Sequence, residues 1–148
     1  MTTNEMERLI MVYGPLRMAV SKLLLMEYKS GRPYIVCGYR TPDEQERLYR
    51  KGITRARAWQ SAHNYGLAVD MAWISNKTGK ISYNTPGFWD WLHEQAKPLG
   101  LISLPGDATH LQLEQAWRYV RARRWICRQV IASQGLSGFY RWLEERVR

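Results

Sequence analysis

Cysteine is scarce in this sequence: only Cys37 and Cys127 occur, far apart and without a CxxC spacing. That count argues against a disulfide framework and a thiolate zinc site, and both thiols read as free and buried. Long apolar runs are missing too. No stretch reaches the roughly 18 residues that a membrane-spanning helix needs. The start, MTTNEMERLIMVYG, carries two glutamates where an export signal would have a basic start and an apolar run. The expectation is a chain made in the cytoplasm without a signal peptide. Acidic residues are outnumbered, 13 Asp and Glu against 22 Lys and Arg, for a formal net charge of +9. Such a surplus favours an anionic polymer or surface as the working environment, whether nucleic acid, anionic lipid or bacterial wall. Histidine occurs only three times, as His63, His93 and His110.

What is present is enough to fold. Hydrophobic residues make up 45% and aromatics 12% of 148 residues, a composition and length that suit one compact domain spanning residues 1–148. The basic excess concentrates after Trp117, where Arg118, Arg121, Arg123, Arg124, Arg128, Arg141, Arg146 and Arg148 face only Glu144 and Glu145. Residues 117–148 therefore read as a basic helical extension of the same domain. It either packs on the catalytic core through its Trp and Ile residues or contacts an anionic envelope.

Periodicity predicts helix over residues 5–28, interrupted near Gly14-Pro15, then a short β-rich run at YIVCGY. Thr41 is placed as an N-cap, with Pro42 in the first turn and Glu44 completing a capping box. That helix runs to about Arg50, and an irregular basic loop follows to Gln60. Leu67, Val69, Met71 and Trp73 alternate with Ala68, Asp70 and Ala72, which is strand periodicity. NKTGK reads as a hairpin turn, Thr85-Pro86 opens another capped helix, and THLQLE is a further strand. A long helix and a last short one, separated at Gln134-Gly135, end the chain. Helices mixed with short strands outside βαβ order predict an α+β fold around a small, mostly antiparallel sheet flanked by helices.

The chemistry gathers in SAHNYGLAVDMAW and DATHLQLE. Strand alternation sends Ala68, Asp70 and Ala72 to one face, and His110, Gln112 and Glu114 to one face of the other strand. If the strands are neighbours, Asp70 and His110 converge, and His63 joins them from the preceding loop. Two imidazoles and a carboxylate suit zinc with one position left for water, the arrangement of catalytic rather than structural sites. Ala68 and Ala72 leave room beside Asp70, and Gly66 permits a sharp turn between ligands. Asp107, in the loop entering the ligand strand, is the nearest general acid/base. Arg40 is the fixed positive charge for a substrate carboxylate or a developing oxyanion, although it can also pair with Asp43 or Glu44. Ser61 suits a local hydrogen bond or substrate contact better than nucleophilic attack. His93 lacks a zincin partner and reads as a helix-surface residue, and Trp89, Trp91, Trp117 and Trp125 read as core, with the lining of a sugar groove as the alternative.

On these residues the sequence resembles the M15 family of zinc peptidases, the D-alanyl-D-alanine carboxypeptidases and L-alanyl-D-glutamate endopeptidases. The pattern SxHxxGxAxD is present as Ser61, His63, Gly66, Ala68 and Asp70. GYRTPDEQERLY is similar to the family's arginine-bearing segment, and DATH to its acid-x-x-His segment. The resemblance implies a D,D-peptidase-like fold, Zn2+ held by His63, Asp70 and His110, Asp107 as catalytic acid/base and Arg40 on substrate or transition state. It also implies a substrate, the stem peptides of peptidoglycan, with no specific nucleic acid, and a monomer. Aspartate at the base position is similar to the endopeptidase branch that includes phage lysis enzymes, which reach the wall after holin-type release. Two alternatives stay open: a D,D-carboxypeptidase or dipeptidase releasing D-Ala, and a non-catalytic basic module for wall polymer or nucleic acid with a structural zinc.

Overall fold

The computed structural model describes residues 1–147. Two helices, α1 (Thr3–Ile10) and α2 (Gly14–Leu24), lead into β1 (Gly31–Cys37) and α3 (Pro42–Arg50). A 3-10 turn, Ala62–Tyr65, precedes β2 (Ala68–Ser75) and the two-residue β3 (Ile81–Ser82). Then come α4 (Phe88–Ala96), a hairpin of β4 (Leu101–Leu104) and β5 (Asp107–Leu113), α5 (Glu114–Arg121) and α6 (Arg124–Glu144). The sheet has the order β1-β2-β5-β4, every pairing is antiparallel, and β3 adds to β2 beside β5. The expected α+β class and antiparallel sheet are both present. Among the described residues no helix is long and apolar enough to cross a membrane.

Period-two alternation divides the sheet into an apolar and a chemical face. Ile35, Val69, Met71 and Leu111 point to one side and join Leu16, Val20 and Leu23 of α2 and Phe88 and Leu92 of α4 in the main core. Asp70, His110 and Gln112 point to the other. There a second apolar cluster, Tyr65, Leu67, Ala68, Trp117, Val120, Phe139 and Leu143, ties α5 and α6 to the sheet. The basic C-terminal segment is therefore packed through its apolar residues, although Trp125 and Ile126 are exposed.

Several local expectations are revised. LISL, to which the sequence assigns no element, forms β4 by pairing Leu101, Ile102 and Leu104 with β5 across the Pro105-Gly106 turn. Helix α4 starts at Phe88 from Gly87, which has no side chain to cap it, so Thr85 is not its cap. Thr41 caps α3 by accepting from the Glu44 N–H, but its hydroxyl donates to the Glu44 carboxylate, so the reciprocal bond of a capping box is absent. The predicted long helix after β5 is divided at Arg123 into α5 and α6, whereas the break expected at Gln134-Gly135 is present, with Gly135 at a φ of 74° outside the helical region.

Candidate active site

Four residues, Cys37, Asp70, Asp107 and His110, meet on the chemical face because of one register and two bulges. Asp70 lies directly opposite His110 on β5 and opposite Cys37 on β1. Residues paired this way share a face with Cβ atoms about 5 Å apart. Strict alternation would put Cys37 on the core side with Ile35. One extra residue in β1 between Ile35 and Cys37 turns it to the face of Asp70 instead. The expectation of a buried structural thiol holds for Cys127; Cys37 is half-buried and belongs to the site. Sequence periodicity carries no mark of the bulge, so nothing in the sequence assigns Cys37 to the site.

The second bulge moves Asp107. Alternation from His110 would send it to the opposite face, but β5 slips by three residues against β4 between the pairs Ile102–Gln112 and Leu104–Asp107. Asp107 consequently opens the strand rather than sitting in a loop, and it lines the same cavity as His110. Within the slipped stretch the Ala108 carbonyl accepts a 2.8 Å bond from His93 Nε2 of α4. His93 is thus no idle surface residue: it pins the bulge that presents both Asp107 and His110.

His63 comes from the 3-10 turn, which Ser61 and Asn64 close reciprocally. The Ser61 hydroxyl accepts from the His63 N–H, and the Asn64 side-chain carbonyl accepts from the Ser61 N–H. Gly66 ends the turn at φ 69°, where the Tyr140 hydroxyl leaves no space for a Cβ. The Arg40 N–H donates to the His63 carbonyl at 3.1 Å, stitching the turn to the end of β1.

The ring nitrogens are then sorted by their partners. His63 Nδ1 lies 2.8 Å from the Gly38 carbonyl, which can only accept, so Nδ1 carries a proton and Nε2 faces Asp70 Oδ1 at 3.2 Å. His110 Nε2 lies 2.8 Å from Gln112 Oε1; the Gln112 amide nitrogen is committed to the Glu114 carboxylate at 2.7 Å. His110 Nδ1 is left facing the same Asp70 oxygen at 3.8 Å. Outer nitrogens fixed as donors and inner nitrogens turned to one carboxylate are what a histidine metal site requires of its surroundings. A tetrahedral zinc about 2.0–2.1 Å from N and O ligands holds them roughly 3.3 Å apart, close to both separations. The donor set fits the ion. Cys37, His63 and Asp70 also form a group with ligand atoms within 4.8 Å of one another.

Charge in the site is strongly coupled. Burial disfavours a cationic His63, but the hydrogen bonds and negative charges of Asp70 and Cys37 outweigh it and lift the imidazole to about 9. Burial and the neighbouring His63 push His110 below its ordinary value. Against the effect of burial, His63, His110 and Arg40 hold the Asp70 carboxyl low. Arg40 donates to Asp70 Oδ2 at 3.3 Å and to Gln45 Oε1 at 3.0 Å rather than pairing with Asp43 or Glu44. Gln45 and Asn64, both buried, were not expected at the site. Asn64 donates to the Arg40 carbonyl, so the pair fixes the arginine at both ends.

One cavity of about 520 Å³ is lined by Arg40, Ser61, His63, Asp70, Asp107 and His110 together. Ala68 and Ala72, expected to leave room there, do not line it; both are fully buried.

No family model matches the chain. Over 78 residues it is 41% identical to the peptidoglycan L-alanyl-D-glutamate endopeptidase CwlK of Bacillus subtilis (strain 168), covering 43% of this chain and 46% of that protein. The chain thus spans about half the length of that relative. The L-Ala D-Glu endopeptidase ChiX of Serratia marcescens superposes with a TM-score of 0.58 at 20% identity, over 82% of this chain and 92% of that one. The chain shares the fold of that protein. The vancomycin-resistance D,D-pentapeptidase VanY, solved in complex with Zn(II), has the same architecture at a TM-score of 0.51 and 19% identity, covering 75% of this chain and 78% of that one.

Proposed function

We propose that the chain is a zinc-dependent peptidase that hydrolyses amide bonds in peptidoglycan stem peptides, with the L-alanyl-D-glutamate bond as its target. One observation carries the reading: His63 Nε2 and His110 Nδ1 face one oxygen of Asp70 in an open cavity that Asp107 and Arg40 also line. The likeness to CwlK and ChiX supports the choice of bond.

His63, Asp70 and His110 would hold the ion. When bound, zinc supplies Lewis acidity for the scissile carbonyl and for the attacking water. Asp107, exposed at the cavity wall with Thr109 donating to its Oδ1 at 3.1 Å, takes the proton from that water and passes it to the departing amine. Arg40 keeps Asp70 in place through Oδ2 and turns positive charge toward a substrate carboxylate or the developing oxyanion. Ser61 holds the His63 turn and borders the substrate. The net charge of +9 favours approach to an anionic wall. Lysis from within a host cell, as in a phage, belongs to the same proposal. It rests on the resemblance at Asp107 and is tested by joint expression with a membrane-opening protein.

The decisive experiment is mass spectrometry of muropeptides digested by the zinc-loaded chain. Free L-alanyl ends and D-glutamyl amino termini are expected. Release of D-Ala would favour the carboxypeptidase alternative, and uncut stems would defeat the peptidase reading. Asp107→Ala should retain zinc and fold but lose cleavage by about 100-fold or more, in the range of general acid–base contributions. A non-catalytic module with structural zinc would be indifferent to that change.

A further inference from the structure

A second cavity, about 310 Å³, lies beside the first and is lined by Ala58, Trp59, Gln60, Arg124, Trp125 and Arg128. Gln60 lines both. His63 lies three positions after Gln60, so their Cα atoms are at most about 10 Å apart.

The groove is built rather than incidental. Trp59 has φ 68°, a left-handed conformation that a bulky residue adopts only when its surroundings impose it. The Tyr65 hydroxyl donates to its carbonyl at 2.9 Å, and the Arg128 guanidinium sits 5.2 Å from its ring centre. Across from it Trp125 is 72% exposed on the first turn of α6, at odds with a core role. An indole left in water beside arginine donors, next to a catalytic cleft, needs a ligand with a flat apolar face and many acceptors.

We propose that this groove binds the glycan strand of peptidoglycan adjoining the scissile stem. The inference rests on the peptidase reading above and names the part of the substrate that reading leaves unplaced. The C–H face of a pyranose ring packs on Trp125, while Arg124 and Arg128 donate to hydroxyl and acetamido oxygens. Distance agrees with the chemistry. In an L-alanyl-D-glutamate cleavage only one alanine and a lactyl group separate the sugar from the scissile bond, roughly 7–10 Å at about 3.5 Å per residue. Gln60 bridges that span. A concave site with one wall locked from within suits a sugar better than a lipid surface, which calls for a projecting apolar face.

The test compares kcat/KM for a disaccharide-linked stem peptide with that for the same peptide freed of sugar, in the wild type and in Trp125→Ala. The expected result is about a tenfold fall in the ratio of sugar-linked to free-peptide efficiency. An unchanged ratio overturns the proposal, whether or not both values fall. If the wild type cuts neither substrate, the peptidase reading fails and the groove is judged by binding alone. Peptide-free glycan strands should then change the tryptophan fluorescence of the wild type saturably and leave Trp125→Ala unaffected. Absence of that change, or a Trp125-dependent response to anionic phospholipid vesicles in place of glycan, refutes glycan binding.

Discussion

Zinc held as proposed by His63, Asp70 and His110 would have to displace a proton from the site, and the number of protons can be worked out. Without metal, the His63 imidazole is held at about 9 by Asp70 and Cys37, so at pH 7 both of its ring nitrogens are protonated. Nδ1 donates to Gly38, and Nε2 donates to Asp70. Coordination needs the Nε2 lone pair, so uptake at pH 7 releases about one proton from His63. Two pH units below about 9, the apparent affinity is about 100-fold weaker than that of the deprotonated site, or about 3 kcal/mol. His110, held below its ordinary value, adds nothing there. Competition with a chromophoric chelator should show affinity rising about tenfold from pH 7 to pH 8. Nitrogen-15 spectra of the metal-free chain should show His63 titrating near 9. Folding carries the same linkage. Because the folded value is raised, the stabilisation is complete below the unfolded value of about 6.5 and is lost as pH rises through about 9. The Tm of the metal-free chain should therefore fall across that window. A neutral His63 at pH 7, or zinc affinity independent of pH between 7 and 8, would refute the reasoning.

Three further outcomes are expected. His93→Ala removes the anchor of the Ala108 carbonyl and frees the bulge carrying Asp107 and His110; kcat should fall roughly 10- to 100-fold, with partial recovery in a variant that keeps a donor there. Gln112→Ala frees the outer nitrogen of His110 and should weaken zinc binding about 10- to 100-fold, read by the same chelator competition. Glu5 is fully buried and paired with Arg32 at 2.8 Å; Glu5→Ala should cost about 3 kcal/mol, or roughly 10 °C in Tm. Although burial opposes it, the Arg32 hydrogen bond and backbone donors hold the Glu5 carboxyl below its ordinary range. This stabilisation is present above about pH 4.3 and is lost as pH falls through the depressed value, so acid should lower the wild-type Tm more steeply than that of Glu5→Gln.

Much of this protein is legible in one dimension. The alternation of Leu67 to Trp73 and of Thr109 to Leu113 specifies two strands with their chemical residues on one face, because side-chain direction in a strand follows from residue parity alone. Ser61 and Gly66 mark the turn that delivers His63, because a cap and a left-handed glycine are local requirements. The same holds for Thr41 at the start of α3. Each of these signals is complete within a few neighbouring residues. The pairing of Asp70 with both His110 and Cys37, the slip of β5 that brings Asp107 round, His93 reaching from α4, and Gln45 and Asn64 clamping Arg40 belong to tertiary structure. So do the exposure of Trp125 and the left-handed Trp59. They depend on how separate strands register and which helices cover them, and a bulge changes side-chain direction without leaving any periodic trace in the chain.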